Sequence, residues 1–328
     1  MQILVTGGAG FIGGHLAESF AGAGHDVTVL DNLDPYYDTG IKQHNVEAAE
    51  EAAENADATY EFVNGSVTNQ DTVTELVSDA DVVYHQAAQA GVRTSVDNPR
   101  KPHEVNVDGT LNVLDAARDS DVERVVLASS SSVYGKPEYL PYDEDHPTNP
   151  VSPYGVSKLA AEQYARVYSE LYDLSTVSLR YFTVYGPRMR PNMAMTNFVS
   201  RCLNGKPPVI YGDGEQTRDF TYIDDIVRVN EQLLTDDSAD GEIMNVGSTD
   251  NIDIQTLAGV VRDELAPELE LEYDEARTGD AEHTHADVSK ANELLGYEPT
   301  VDIREGVAQF IDWYQDNREW YEPLVLNS

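Results

Sequence analysis

Tyr154 and Lys158 are the two residues whose types and spacing suit proton transfer. Side chains four positions apart on a helix project from the same face, about one turn from each other. A free phenol titrates near ~10 and is a poor base at neutral pH, but a nearby ammonium favours the phenolate. The pair is therefore a candidate general base with an activating cation, although the same spacing also occurs in ordinary helices.

The residues around this pair predict a long helix that begins just before it. Ser152 is a suitable N-cap, and Pro153 suits the first helical position. Tyr154 and Lys158 then lie in the first two helical turns.

The N-terminus predicts a strand, a glycine-rich loop and a helix. The apolar run 2–6 leads directly into glycines with GxxGxxG spacing, and a helical pattern follows from Phe11 to Ala23. Glycine is needed where a backbone turns tightly and approaches a pyrophosphate, which then lies on the amides of the helix N-terminus. This context favours a dinucleotide site over a plain turn.

The next predicted strand, 26–30, ends in an acidic residue that favours one dinucleotide. The Asp31 carboxylate is placed to accept hydrogen bonds from the adenosine ribose hydroxyls and would repel a 2′-phosphate. Asn32 follows it, rather than an arginine. We therefore predict NAD rather than NADP.

Small or polar residues follow three further predicted strands, 60–63, 80–85 and 123–128. Ligands bind open α/β sheets at the carboxyl ends of their strands, so these residues are expected to line the site. They are Ser66, Val67, Gln86, Ala87, Ala88 and the serines from Ser129 to Ser132. A polar loop is the alternative for the serines.

Two further helices are predicted. The acidic segment 35–59 is expected to contain a helix and no catalytic or binding residue, and another helix is predicted from Asn106 to Ala117.

The composition narrows the classes of partner. The 328 residues include 21 basic and 59 acidic ones, a formal net charge of −38. Such a charge repels nucleic acid and anionic membranes, and it is typical of proteins kept soluble in high salt, so we expect a halophilic source. The single cysteine excludes an internal disulfide, and no stretch is long and apolar enough to span a membrane. We expect a cytoplasmic protein.

The fold expected from these patterns is α/β, a Rossmann doubly wound parallel sheet with a smaller C-terminal α/β substrate domain. Residues 1–180 are predicted to form an NAD-binding domain to which segments near 224–248 return. Residues 181–328 are predicted to be mainly a substrate-binding domain.

The assembled motifs resemble the extended short-chain dehydrogenase/reductase superfamily and, within it, the nucleotide-sugar 4-epimerases. The resemblance covers nearly the whole chain. Its motifs are GxxGxxG at Gly7 to Gly13, Asp31-Asn32, His85 to Ala88, Asn106, SSxxVYG from Ser129, Tyr154-xxx-Lys158, Arg180-Tyr181-Phe182, Gly212-Asp213-Gly214 with Arg218-Asp219-Phe220, and Arg277 to Asp280.

The resemblance implies roles for particular residues. Tyr154 would be the base, Ser130 would hydrogen-bond the reacting oxygen, and Lys158 would bind the nicotinamide ribose and lower the pKa of the tyrosine. The implied NAD contacts are Gly7, Gly10, Phe11, Ile12, Gly13, Asp31, Asn32, Ser66, Val67, Gln86, Ala87, Ala88, Asn106, Tyr154, Lys158 and Tyr181. The implied substrate contacts are Ser130, Ser132, Thr183, Arg190, Asn197, Arg218 and Arg277, of which the last two would clamp the UDP pyrophosphate. No metal site is expected.

One departure concerns adenine. Many relatives carry an aspartate at position 66, where this chain has Ser66. Its loss is expected to weaken adenine contacts without changing the chemistry.

Relatives pair through helices equivalent to those expected near residues 105 and 152, which implies a homodimer.

The run 182–194 bears on the sugar. Glucose/galactose epimerases usually carry asparagine where this chain has Thr183, and the run resembles that of UDP-glucuronate 4-epimerases. Arg190 would then bind the C6 carboxylate, while the alternative is that Arg188 and Arg190 serve phosphate or solvent. UDP-glucuronate is the predicted substrate, and UDP-glucose/UDP-galactose remains open.

Three other activities are less compatible with the sequence. A 4,6-dehydratase of this superfamily usually shows an Asp-Glu pair at positions 131 and 132, and a UDP-glucuronate decarboxylase usually carries glutamate at 132. Serines stand at both positions. A protein that only senses NAD tends to lose the Tyr/Lys pair, which this chain keeps.

Overall fold

The computed structural model describes residues 1–275 and 282–328. Its strands are β1 (Gln2–Thr6), β2 (Asp26–Asp31), β3 (Tyr60–Asn64), β4 (Val82–His85), β5 (Arg124–Ser130), β6 (Thr176–Tyr181), β7 (Thr183–Tyr185), β8 (Val209–Tyr211), β9 (Thr217–Arg218), β10 (Phe220–Tyr222), β11 (Ile243–Val246), β12 (Ile252–Asp253) and β13 (Glu272–Asp274). Its helices are α1 (Phe11–Gly22), α2 (Thr39–Asn55), α3 (Gln70–Ser78), α4 (Val92–Asp97), α5 (Arg100–His103), α6 (Gly109–Arg118), α7 (Pro153–Tyr172), α8 (Ala194–Leu203), α9 (Ile223–Gln232), α10 (Ile254–Leu265), α11 (Ser289–Leu295), α12 (Ile303–Asp316) and α13 (Arg318–Leu326).

The central element is a seven-stranded sheet in the order β11-β6-β5-β4-β1-β2-β3. Every neighbouring pair in it is parallel. The inner strands β4, β5 and β6 are buried along their whole length, as expected where helices cover both faces. The predicted Rossmann-like α/β fold is confirmed. Because the strand order reverses between β1 and β4, a crevice opens at the carboxyl ends of these two strands.

The later strands add three small two-stranded sheets, β7 with β10, β9 with β12 and β8 with β13. Strand β11 instead returns to the edge of the large sheet, where Ile243 pairs with Ser178. Within the described parts of the chain, no helix is both long and apolar enough to cross a membrane.

Two predicted element starts differ from the structure by two residues or more. Strand β4 begins at Val82 rather than at residue 80. The helix expected from Asn106 begins at Gly109, because the five residues Glu104–Asp108 form a π-helical turn that joins α5 to α6. Single π-turns of this kind are frequent beside functional sites.

Helix α7 begins where the sequence predicted. The Ser152 hydroxyl accepts a hydrogen bond from the Gly155 amide at 3.1 Å, and Pro153 occupies the first turn. The face that packs against the sheet includes Lys158 and Glu162, both buried. Their burial brings charged groups of α7 to the carboxyl ends of β5 and β6.

Candidate active site

A cleft of about 390 Å³ lies at the carboxyl ends of β1, β2, β4, β5 and β6. Nineteen of the predicted site residues line it. They are Gly7, Gly10, Phe11, Ile12, Gly13, Asp31, Asn32, Ser66, Val67, Gln86, Ala87, Ala88, Ser130, Ser132, Tyr154, Lys158, Tyr181, Thr183 and Arg190.

The glycines leave no room for side chains where the first loop meets its neighbours. Gly7 has φ +71°, and a Cβ added there would lie 2.6 Å from the Ala87 nitrogen. A Cβ on Gly13 would lie 2.3 Å from the Gly7 carbonyl oxygen. Gly10 precedes α1 and offers no capping side chain, so the first amides of the helix remain free for an anion. The loop therefore fits a dinucleotide pyrophosphate.

Asp31 is held in position at the next strand end. Its Oδ2 accepts from the Ala9 amide at 3.2 Å, and its Oδ1 accepts from the Leu33 amide at 2.8 Å. The Lys42 ammonium lies 3.4 Å from Oδ1, is buried and also lines the cleft. A fixed carboxylate beside an ammonium suits recognition of a ribose diol, since it presents both an acceptor and a donor.

Tyr154 and Lys158 meet the end of β5 through different atoms. The Tyr154 hydroxyl is hydrogen-bonded by the Ser130 hydroxyl. The Lys158 Nζ donates to the Ala128 carbonyl at 2.7 Å. The helix face that carries the pair is therefore tied to neighbouring residues of one strand.

Burial is the largest influence on the pKa of both Tyr154 and Lys158. Burial raises the pKa of Tyr154, and the Ser130 hydrogen bond and the Arg190 guanidinium oppose that effect. Burial lowers the pKa of Lys158 itself, to about 8. The lysine is thus a buried amine that donates to a carbonyl, and the lowering of the Tyr154 pKa by Lys158 stays a prediction.

One turn further along α7, Glu162 ties the helix to the same strand. Its carboxylate accepts from the Ser129 hydroxyl at 2.8 Å and from Arg180 at 2.6 Å. Arg180 also donates to the Tyr134 hydroxyl at 2.8 Å. Both members of the ion pair are buried, so their hydrogen bonds are needed to offset desolvation. The sequence signal was the four-residue spacing Tyr154, Lys158, Glu162, which our sequence interpretation did not use.

Asn106, predicted to contact NAD, does not line the cleft. It is buried, its Oδ1 accepts from the Gln89 amide at 2.7 Å, and its Nδ2 donates to the Ser157 hydroxyl at 2.9 Å. Its amide is therefore used to join the loop after β4 to helix α7.

Two predicted substrate residues, Asn197 and Arg218, also lie outside the cleft lining. Asn197 is exposed and donates to the carbonyls of Pro191 and Met193 at 2.9 and 3.0 Å. Arg218 lines a second cavity and donates to its neighbour's carbonyl, Thr217, at 2.8 Å. Arg277 lies outside the described residues.

Arg188 and Arg190, two positions apart, have separate surroundings. Arg188 is buried with φ +61°, forms an ion pair with Glu18 and donates to His15 Nδ1 at 2.9 Å. It fastens the loop after β7 to helix α1. Arg190 instead faces the cleft. Arg188 therefore has a structural role, which was not among the roles considered for it from the sequence.

The segment to which we assigned no chemistry also reaches the cleft. Tyr36, Tyr37 and Lys42 all line it. No motif marks these residues. The available signal was composition, because Lys42 is one of only six lysines in the chain and lies in an acidic helix, α2.

The comparisons with known proteins agree with this geometry. The family model described as GDP-mannose 4,6 dehydratase matches residues 4–310. The UDP-glucuronate 4-epimerase of Thermodesulfobacterium geofontis is 38% identical over 327 residues, covering 98% of this chain and 99% of the relative.

Two solved structures have a similar fold. The UDP-glucuronic acid 4-epimerase of Bacillus cereus, in complex with UDP-glucuronic acid and NAD, has a TM-score of 0.88 at 35% identity, covering 96% of this chain and 99% of the other. The UDP-glucose 4-epimerase of Thermotoga maritima with UDP-glucose has a TM-score of 0.88 at 31% identity, covering 97% and 100%. This chain therefore belongs to the UDP-sugar 4-epimerases, a group of isomerases within the family described as GDP-mannose 4,6 dehydratase.

Proposed function

We propose that the chain uses NAD to interconvert UDP-glucuronate and UDP-galacturonate by inverting C4. The observation that carries the choice of sugar is Arg190, an arginine that faces the cleft beside the catalytic tyrosine and lowers its pKa. We call the part of the cleft lined by Gly7, Gly13 and Asp31 the cofactor end, and the part lined by Ser130, Tyr154 and Arg190 the sugar end.

The cofactor end holds the dinucleotide. The α1 amides bind the pyrophosphate, and Asp31 with Lys42 binds the adenosine ribose. Lys158 contributes its ammonium to the nicotinamide ribose. Bound NAD supplies a hydride acceptor and donor at sugar C4 and a positive charge beside the phenol.

At the sugar end, Tyr154 removes the proton from the 4-hydroxyl and returns one to the keto oxygen after the sugar has turned over. Ser130 donates a hydrogen bond to the same oxygen. Since burial raises the pKa of Tyr154, the phenolate needs additional positive charge, which the bound cofactor and Arg190 provide.

Arg190 is suited to preventing the decarboxylation of an acidic sugar intermediate. A 4-keto uronic acid is a β-keto acid, and it loses carbon dioxide unless its carboxylate is held in an unfavourable orientation. A planar guanidinium grips a carboxylate through two parallel hydrogen bonds, which fixes that orientation. Thr183 and Ser132 line the same cleft and offer hydroxyls to the sugar.

The UDP group is assigned to Arg218 and Asn197, which do not line this cleft, and to Arg277, which lies outside the described residues. We propose that Arg218 and Arg277 bind the pyrophosphate and that Asn197 lies at the edge of the nucleotide-sugar site. Guanidinium groups suit phosphate oxygens.

The exposed apolar residues of α7, Val156, Tyr164 and Leu171, together with Val96, support a homodimer built on this helix.

UDP-glucose is the second candidate substrate, favoured by the similarity to the Thermotoga maritima enzyme. The dehydratase named in the family description is disfavoured by the serines at positions 131 and 132.

The test is to incubate the protein separately with UDP-glucuronate and UDP-glucose and to look for galacto products by NMR. We expect product from the uronate at a higher kcat/KM. Arg190→Ala should raise the KM for the uronate by more than that for UDP-glucose, whereas Arg166→Ala, at an exposed ion pair with Glu170, is the matched control. Turnover of UDP-glucose alone would overturn the proposed sugar.

A further inference from the structure

The loop between β2 and α2 has a defined shape that presents Tyr36 to the cleft. The Asp34 amide donates to Asn32 Oδ1 at 3.1 Å. The Asp34 carboxylate forms an ion pair with Lys101, with 2.7 Å between Oδ2 and Nζ. Both contacts anchor the loop at Asp34, two residues before Tyr36, which lines the cleft.

The Tyr36 side chain lies against Gly91 and against the ring of Tyr37. Its hydroxyl lies beside Gly91, where an added Cβ would be only 2.3 Å from the Tyr36 oxygen. Gly91 has φ +106°, a conformation that favours glycine. The Tyr37 ring makes an edge contact with Tyr36 at a centroid distance of 6.4 Å. The ring position therefore depends on a glycine that allows this close approach.

The face of this ring contacts Arg190. The Arg190 Cζ lies 5.9 Å from the centroid of the Tyr36 ring, within the range of a cation–π interaction. The guanidinium also approaches the Met193 sulfur, at 3.9 Å from Nη2. In the described ranges, 1–275 and 282–328, no carboxylate lies within 4.0 Å of Arg190.

The absence of that partner is unexpected for this chain. It has 59 acidic residues against 21 basic ones, and Arg188, two positions earlier, is paired with Glu18. A carboxylate beside Arg190 would occupy its donors and compete with an anionic ligand. An aromatic face instead holds the guanidinium in place and leaves its charge and its N–H donors available.

We infer that Tyr36 is a positioning residue that holds Arg190 at the sugar end and thereby makes the site selective for an acidic sugar substituent. This inference deepens the proposed function and rests on it. It assigns a role to a loop that lies far in the sequence from both the catalytic helix and the arginine.

The test compares Tyr36→Leu, Tyr36→Phe, Arg190→Ala and the double variant Tyr36→Leu/Arg190→Ala on UDP-glucuronate and UDP-glucose. Loss of a cation–π contact predicts that Tyr36→Leu raises the KM for UDP-glucuronate by roughly 2- to 30-fold. The KM for UDP-glucose should change by a smaller factor, and kcat should change less than KM. Tyr36→Phe keeps the ring face, so its KM for the uronate should be lower than that of the leucine variant.

A role through Arg190 also predicts non-additivity. The double variant should be no worse on UDP-glucuronate than Arg190→Ala alone, because the second change removes nothing that still acts. Tyr172→Leu is the matched control, since it removes a surface contact in which the Arg118 Cζ lies 5.3 Å from the ring centroid. If Tyr36→Leu proves unstable, Tyr36→Met replaces it.

The outcomes separate the two proposals. Additive effects, equal KM increases on both sugars, or no effect of Tyr36→Leu in an active uronate epimerase would overturn the role of Tyr36 alone. A wild-type protein that does not turn over UDP-glucuronate would overturn the proposed sugar and this inference together.

Discussion

At the cofactor end of the cleft the wall is mostly backbone, whereas at the sugar end it is made of long side chains from separate loops. Gly7 and Gly13 leave main-chain atoms exposed to the dinucleotide. Tyr36 and Arg190, by contrast, come from segments about 150 residues apart and meet through side-chain contacts. A backbone wall suits a ligand that every member of a family shares. A side-chain wall can be changed by single substitutions, which allows one fold to serve several sugars.

Substitution of Tyr154, the acid–base residue of the sugar end, should have the largest effect on kcat. Tyr154→Phe removes the acid–base hydroxyl and keeps the ring, so kcat should fall by roughly 100- to 10,000-fold, the usual contribution of a positioned acid or base. NAD and UDP should still bind, as measured by calorimetry. A variant with near-normal kcat would remove Tyr154 from the mechanism.

Adding a methyl group at Gly13, in the cofactor end, should affect NAD binding and leave UDP binding unchanged. The Cβ of Gly13→Ala would lie 2.3 Å from the Gly7 oxygen, and such overpacking costs about 1–3 kcal/mol. NAD affinity should therefore fall by roughly 5- to 150-fold, while UDP affinity changes little.

Gly22→Ala is the control in the same helix, because its nearest neighbour, the Ala52 Cβ, is 3.8 Å away. That variant should keep its NAD affinity. An equal loss of UDP affinity in Gly13→Ala would show that the two ends are not independent.

The buried amine of Lys158 predicts a pH-dependent effect on the stability of the fold rather than on catalysis. Burial lowers the pKa of Lys158 from 10.5 to about 8, so between these values the unfolded chain binds a proton that the folded chain has released. Stability of the NAD-free protein should therefore rise with pH across this window by about 3 kcal/mol relative to Lys158→Met.

Chemical denaturation from pH 7 to 10.5 measures this difference, and Lys206→Met, at an exposed lysine, is the control. A constant difference between the wild type and Lys158→Met would contradict the buried charged amine.

The parts that sequence alone predicted are those set by local pattern. The strand, glycine loop and helix from Gln2 to Gly22, the Asp31 strand end and the capped start of α7 each depend on neighbours in the chain. The class of fold followed from them, because alternating strands and helices with short connections form a parallel sheet.

The parts that sequence did not predict depend on tertiary packing. Nothing local distinguishes Arg188 from Arg190, yet only the former meets Glu18 across the fold. Asn106 belongs to a family motif, but its amide is used inside the protein. The tyrosine at position 36 has no motif at all. The activation of Tyr154 by Lys158 stays a prediction: burial raises the pKa of the tyrosine and lowers that of the lysine, an effect of packing that the spacing of the two residues does not reveal.

The most direct test of the central claim follows the hydrogen on C4. UDP-glucuronate labelled with deuterium at C4 is incubated with the protein in ordinary water, and both epimers are examined by NMR and mass spectrometry. We predict UDP-galacturonate that retains the deuterium on C4, because that hydrogen is removed and returned within the closed site while only the hydroxyl proton passes through Tyr154. Loss of the label to water, or no inverted product, would contradict the account.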